Sequence, residues 1–76
     1  MSRAIIWSKN DCIYCIQAKN LLATQGIEFE EHKIGDGYTV EQLLEAVPAA
    51  RTVPQIFIDE EYIGGYDALK KRLTAN

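Results

Sequence analysis

The chain has 76 residues, 47% of them apolar and 25% charged, a composition that folds rather than one that stays disordered, and its length supports one thin core. A formal charge of −3 offers no basic footprint to nucleic acid or to an anionic membrane surface, so neither is expected as a partner. The first apolar run, Ala4 to Trp7, is far shorter than a signal-peptide core or a membrane span, and two cysteines make no stapled framework; one soluble, cytoplasmic domain over residues 1–76 is the expectation.

Ala4-Ile5-Ile6-Trp7 reads as a strand buried on both faces, as in the middle of a partly parallel sheet, and Ser8-Lys9-Asn10-Asp11 breaks it. From Cys12 onward Cys15, Ala18, Leu21 and Leu22 recur at helical spacing until Gly26 supplies a stop. Ile27 to Lys33 alternates as a second strand, with Ile27 and Phe29 toward the core and Glu28, Glu30 and His32 on the solvated side. After a Gly35-Asp36-Gly37 turn, Thr39 and Gln42 fit a capping box, and Val40, Leu43, Leu44 and Val47 form the apolar stripe of a second helix that Pro48 ends. Gln55 to Ile58 and Glu61 to Ile63 read as a hairpin around Asp59-Glu60, although that pair lacks the glycine a type I′ turn favours. Gly64-Gly65 then turns the chain into a last helix carrying Leu69 and Leu73, with Lys70, Lys71 and Arg72 placed to complement its C-terminal dipole. The order βαβαββα predicts an α/β fold. Two parallel strands are joined through the first helix, an antiparallel hairpin extends the same sheet, and Cys12 lies at the carboxyl end of the first strand, where open α/β sheets place ligands.

Cys12-Ile13-Tyr14-Cys15 carries the chemistry. Residues three apart at a helix start share one face with Cβ atoms about 5–6 Å apart, and a disulfide needs about 3.5–4.5 Å, so a small local adjustment makes or breaks the bond. The residue types leave a redox pair, a structural staple and a zinc knuckle open; zinc wants four ligands, and the chain offers two cysteines and His32. In the redox reading, the unpaired N–H groups of the helix start and the nearby Lys9 favour a thiolate at Cys12, with Asp11 opposing, while Cys15 sits a turn deeper and holds its proton more firmly. Cys12 then attacks a disulfide sulfur, and Cys15 or an external thiol resolves the mixed disulfide. Thr52-Val53-Pro54 alone is a loop entering a strand, since proline fixes its own φ and keeps the preceding residue extended. Gly64-Gly65-Tyr66-Asp67 reads either as a turn with Asp67 as N-cap or as exposed N–H groups at a helix start that receive a carboxylate.

In this order and spacing, Cys12 to Cys15, Thr52 to Ile58 and Gly64 to Asp67 closely resemble a dithiol glutaredoxin of the compact bacterial and phage type, over essentially the full chain. The resemblance implies a thioredoxin-like fold, a four-stranded mixed sheet flanked by three helices. It also implies an enzyme: a thiol-disulfide oxidoreductase that reduces protein disulfides or glutathione mixed disulfides with electrons from glutathione. It makes Cys12 the nucleophile, Cys15 the resolving thiol and Pro54 a cis-proline beside them. Glutathione is assigned to Lys9, Tyr14, Thr52, Val53, Pro54, Gly65, Tyr66 and Asp67: the Val53 backbone pairs with the cysteinyl part, Lys9 and Tyr14 lie along the carboxylate-bearing end, and Thr52 with the Gly65-Tyr66-Asp67 turn holds the γ-glutamyl end.

The same resemblance implies a monomer with no metal and no tightly bound cofactor, glutathione as cosubstrate, and disulfide-containing protein substrates, ribonucleotide reductase being one candidate. Ile13 stands where many dithiol members have proline, and Ala68 where a polar residue is frequent; the first bears on redox potential, the second on the grip on the γ-glutamyl group. Two further readings keep the fold. One is a glutaredoxin-like thioredoxin reduced by thioredoxin reductase, which Tyr14 argues against; the other is a non-enzymatic scaffold in which Cys12 of two chains and two glutathiones hold an iron–sulfur cluster.

Overall fold

The computed structural model describes residues 2–74. The elements are β1 (Arg3–Ser8), α1 (Ile13–Thr24), β2 (Glu28–Lys33), α2 (Val40–Ala46), β3 (Gln55–Ile58), β4 (Glu61–Gly64) and α3 (Tyr66–Thr74). They form one sheet of order β2-β1-β3-β4, in which β1 runs parallel to β2 and antiparallel to β3, and β3 pairs antiparallel with β4. The expected four-stranded mixed sheet and three helices are thus present among the described residues.

The unbroken apolar run of β1 is explained by burial on both faces. Ala4 and Ile6 pack with Ala18, Leu22, Ile56, Ile58 and Leu69, between the sheet and the pair α1 and α3. On the opposite face Trp7 meets Leu43 and Val47 from α2 and the loop after it. α1 ends where Gly26 takes φ +72°, a left-handed conformation that lets the chain reverse into β2. The β3–β4 turn is type I′ without glycine: Asp59 and Glu60 have φ of +50° and +70°. It is tied to the start of β1, since the Arg3 amide donates to Asp59 Oδ1 at 3.0 Å and the Asp59 amide to the Arg3 carbonyl at 2.9 Å.

Two expectations need correction. His32 does not lie on a solvated face. Its ring stacks on Tyr38 with centroids 4.1 Å apart and meets the edge of Trp7 at 4.7 Å, and its Nε2 bonds the Glu30 carboxylate. The even-numbered residues of β2 share the face on which α2 packs, so this end of that face is covered. The second correction concerns α2, where the capping box forms, with Thr39 and Gln42 exchanging backbone-to-side-chain bonds of 2.8 and 3.1 Å. The helix is only seven residues long, however, and one row, Leu43 and Val47, sits on the sheet. The adjacent row, Val40 and Leu44, stays 51% and 40% exposed.

A partly buried polar network joins α1 to the sheet. Ser8, fully buried at the end of β1, donates to Glu31 Oε2, and Lys19 Nζ donates to the same oxygen at 2.9 Å. Burial alone would raise the Glu31 pKa, but the Ser8 hydroxyl and the Lys19 ammonium together outweigh it and hold the carboxyl below its ordinary value. A depressed carboxyl stabilises the fold fully above its unfolded pKa, and the contribution is lost as pH falls through the folded one. Glu31→Gln is therefore expected to cost about 1–2 kcal/mol near pH 7, with the deficit shrinking as pH drops below about 4. Urea midpoints for both proteins across that range check it; a deficit that stays constant contradicts the linkage.

Candidate active site

Asp11, at φ +57°, turns the chain from β1 into α1, and Cys12 becomes the N-cap of that helix. Its Sγ accepts the Cys15 amide N–H at 3.2 Å, which places sulfur against the positive end of the helix. Cys12 and Cys15 are joined by a disulfide with Cα atoms 5.2 Å apart, so this is the oxidised state. Both cysteines are buried, Cys12 at 8% exposure and Cys15 at 1%, so Cys12 is the more accessible of the two, as the motif predicts. The Val53 carbonyl oxygen stands 3.8 Å from Cys12 Sγ, and the Val53–Pro54 peptide is cis.

Beside the disulfide lies a groove of about 580 Å³ that brings Tyr14, Thr52, Val53 and Pro54 together with Gly65, Tyr66 and Asp67, and adds Ala68. The sheet order explains the meeting. β3 lies next to β1, so the cis-proline loop that opens β3 comes up against the start of α1, and β4 delivers the start of α3 alongside it. The Tyr14 and Tyr66 rings approach to 6.0 Å. Close approach also requires small residues in the β4–α3 turn. Gly64 has φ +119°, and a Cβ there would stand 3.2 Å from Ala68 Cβ. Asp67 is not the N-cap: α3 begins at Tyr66, so Asp67 lies in the first turn. Lys9 is the assigned residue outside this groove; it lines a second one of about 180 Å³ together with Thr52 and Val53.

Comparison with known proteins gives the same picture. The glutaredoxin family model matches residues 4–63. The chain belongs to the glutaredoxin family. It is 41% identical over 70 residues to glutaredoxin 3 of Escherichia coli K12, covering 91% of this chain and 83% of that one. Among solved structures it resembles glutaredoxin 1 of Francisella tularensis in complex with cacodylate, with TM-score 0.79 and 33% identity over 95% of this chain and 92% of that one. A buckwheat glutaredoxin–glutathione complex aligns with TM-score 0.67 and 32% identity, over 93% of this chain and 68% of that one. This glutaredoxin is a thiol-disulfide oxidoreductase, and Cys12–Cys15 is its redox-active disulfide. Among the described residues no helix is long and apolar enough to cross a membrane.

One residue that holds the glutaredoxin groove in shape went unassigned in the sequence reading. Gln55, buried at the start of β3, donates from Nε2 to the Thr52 carbonyl at 2.8 Å and accepts the Tyr62 hydroxyl at 2.6 Å. It thereby pins the loop that carries Val53 and Pro54. The available signal was a glutamine opening an otherwise apolar buried strand, because a buried amide needs partners. Gln55→Leu leaves the Thr52 carbonyl and the Tyr62 hydroxyl without this partner and is expected to destabilise the fold by about 1–2 kcal/mol. It should raise KM for the groove's ligand more than it lowers kcat. Urea denaturation with steady-state kinetics tests both; an unchanged KM rules out the positioning role.

Proposed function

We propose that this glutaredoxin takes its electrons from glutathione, bound in the groove beside Cys12. The observation that carries the reading is the groove itself, which is lined by Val53, whose carbonyl lies 3.8 Å from Cys12 Sγ, and which joins the cis Val53–Pro54 loop to the start of α3. The backbone of Val53 pairs with the cysteinyl part of glutathione and thereby fixes its sulfur near Cys12. The first N–H groups of α3 lack intrahelical acceptors and receive the γ-glutamyl carboxylate, at Gly65, Tyr66 and Asp67, with Thr52 on the other side. Tyr14 covers the peptide, and the Lys9 side chain reaches the glycine carboxylate from the neighbouring groove.

Turnover follows from this arrangement. The Cys12 thiolate attacks a disulfide sulfur, the S–S bond breaks, and the departing sulfur takes the electron pair and then a proton. The mixed disulfide on Cys12 is resolved by Cys15, which regenerates the disulfide seen here, or by glutathione. Two further glutathiones reduce the oxidised enzyme and leave as glutathione disulfide. Protein disulfides and glutathione mixed disulfides are the proposed substrates, with ribonucleotide reductase one candidate, and the proposed working form is a single-domain cytoplasmic monomer.

The test follows NADPH oxidation while oxidised enzyme is reduced by glutathione with glutathione reductase, and in parallel by thioredoxin reductase. Turnover is expected in the first system. Turnover confined to the second overturns the proposal.

A further inference from the structure

The outer face of α1 lacks the charges that a solvent-facing helix surface normally carries. Ile13, Ile16, Gln17, Asn20, Ala23 and Thr24 fall within an arc of about 120° along the helix, opposite the buried Cys15, Ala18 and Leu22. All six are exposed and none is charged, whereas the exposed surfaces of the other helices carry Glu41 and Glu45 on α2 and Lys70, Lys71 and Arg72 on α3. The single charged residue of α1, Lys19, lies to one side of this face and is paired with Glu31 at 2.9 Å. Ile13 and Ile16 are 65% and 52% exposed, neighbours on the helix at i and i+3. A helix apolar on both faces is ordinarily covered on both, and clustered exposed apolar side chains mark a contact with another molecule.

Position says what the covering molecule is. The face begins at Ile13, the residue after the N-cap cysteine, and neither isoleucine lines the groove beside the disulfide. Any disulfide substrate brings its own chain to Cys12. In a protein–glutathione mixed disulfide the glutathionyl half occupies the groove lined by Tyr14 and Tyr66, so the polypeptide half needs ground on another side of the same sulfur. The uncharged face supplies it, running from Cys12 for about 18 Å between Tyr14 on the α3 side and Lys19 on the β2 side.

We infer that the outer face of α1 is a docking strip for the polypeptide half of a protein–glutathione mixed disulfide, and that it selects an uncharged, aliphatic stretch beside the modified cysteine. The inference rests on the reading of the Tyr14–Tyr66 groove as the glutathione site. Ile13 and Ile16 receive the aliphatic side chains, and the side-chain amides of Gln17 and Asn20 offer donors and acceptors to the partner's main chain. A strip without charge exerts no long-range attraction, so recognition rests on burial and is insensitive to salt. In the step concerned, the Cys12 thiolate attacks the glutathionyl sulfur and a Cys12–glutathione bond forms. The bond to the peptide sulfur breaks with its electron pair on that sulfur, which takes a proton from water and leaves over α1.

Three substrates test this with the full chain in the glutathione-coupled assay. The first is a glutathionylated peptide with leucine and valine beside its cysteine, the second the same peptide with glutamate and lysine there, and the third the neutral mixed disulfide of glutathione and 2-mercaptoethanol. The wild-type enzyme is expected to use the aliphatic peptide about tenfold more efficiently in kcat/KM than the charged one. The ratio of the aliphatic peptide to the 2-mercaptoethanol substrate should hold between about 0.02 and about 0.3 M salt. Ile16→Ser should lower that ratio about fivefold; Ile13 is left in place because it lies between the cysteines. Equal use of the two peptides by the wild-type enzyme overturns the inference, as does a preference that survives Ile16→Ser. Sedimentation should find a monomer, and a dimer that Ile16→Ser dissociates would assign the face to a second copy and overturn the inference. Turnover of the 2-mercaptoethanol substrate without a peptide preference removes the docking strip alone, whereas failure of all three substrates overturns the glutathione reading and this inference with it.

Discussion

Cys12→Ser is expected to abolish turnover, a loss of at least about a thousandfold, whereas Cys15→Ser keeps a thiol that accepts one glutathione and holds it. The difference follows from position rather than from residue type. Cys12 caps α1, its sulfur receives the Cys15 amide, and it is the more exposed of the pair. A serine hydroxyl there stays protonated at neutral pH, so the cap bond survives and the nucleophile does not. The remaining Cys15 is almost fully buried and cannot be reached by a bulky disulfide. In Cys15→Ser the attacking sulfur is intact, but the internal route that expels a protein substrate is gone, so only an external thiol can clear the adduct. Intact mass after incubation with glutathione disulfide reads the two cases directly: one adduct on Cys15→Ser and none on Cys12→Ser. An active Cys12→Ser enzyme, or an adduct on its Cys15, contradicts the assigned roles.

What the sequence revealed about the fold, and what it left hidden, divides along a physical line. Ala4 and Ile6 belong to one core and Trp7 to the other, and a strand buried on both faces writes that into its own residues. The edge strand β2 was harder to read. Alternation shows that Glu28, Glu30 and His32 share a face, but whether that face is wet depends on where α2 and the 34–38 segment dock, which is a long-range outcome. The Val40–Leu44 row is a similar case, because helical spacing cannot say which of two adjacent rows a short helix lays on the sheet. The groove is the extreme example. Tyr14, Thr52 to Pro54 and Gly65 to Asp67 meet only because β3 lies beside β1. Local patterns identified each segment as a helix start or a loop; the family resemblance supplied their common purpose, and neither gave a role to Gln55, which acts through Thr52.

Packing and binding are coupled most directly at Leu69. It is the fully buried residue of α3, set against the core that also holds Leu22 and Ile56. Tyr66 and Leu73 of α3 pack against the same core only partly buried, and the Arg72–Glu61 ion pair to the hairpin is exposed and therefore contributes little. Leu69→Ala is expected to destabilise the fold by about 2–4 kcal/mol, a large share of the stability available to so short a chain. The loss should be unequal across the molecule, since α1 and β1 keep their mutual packing while α3 loses its anchor. Tyr66 and Asp67 ride on α3, so KM for glutathione should rise by more than kcat falls, and amides of Tyr66–Thr74 should exchange faster relative to those of β1. Leu22→Ala makes the control, a deletion of the same size in the same core but on α1. Urea titrations place the two variants at matched folded fractions, where KM can be compared. Only Leu69→Ala should shift it strongly; equal shifts in both would mean that the groove answers to global stability and not to the docking of α3.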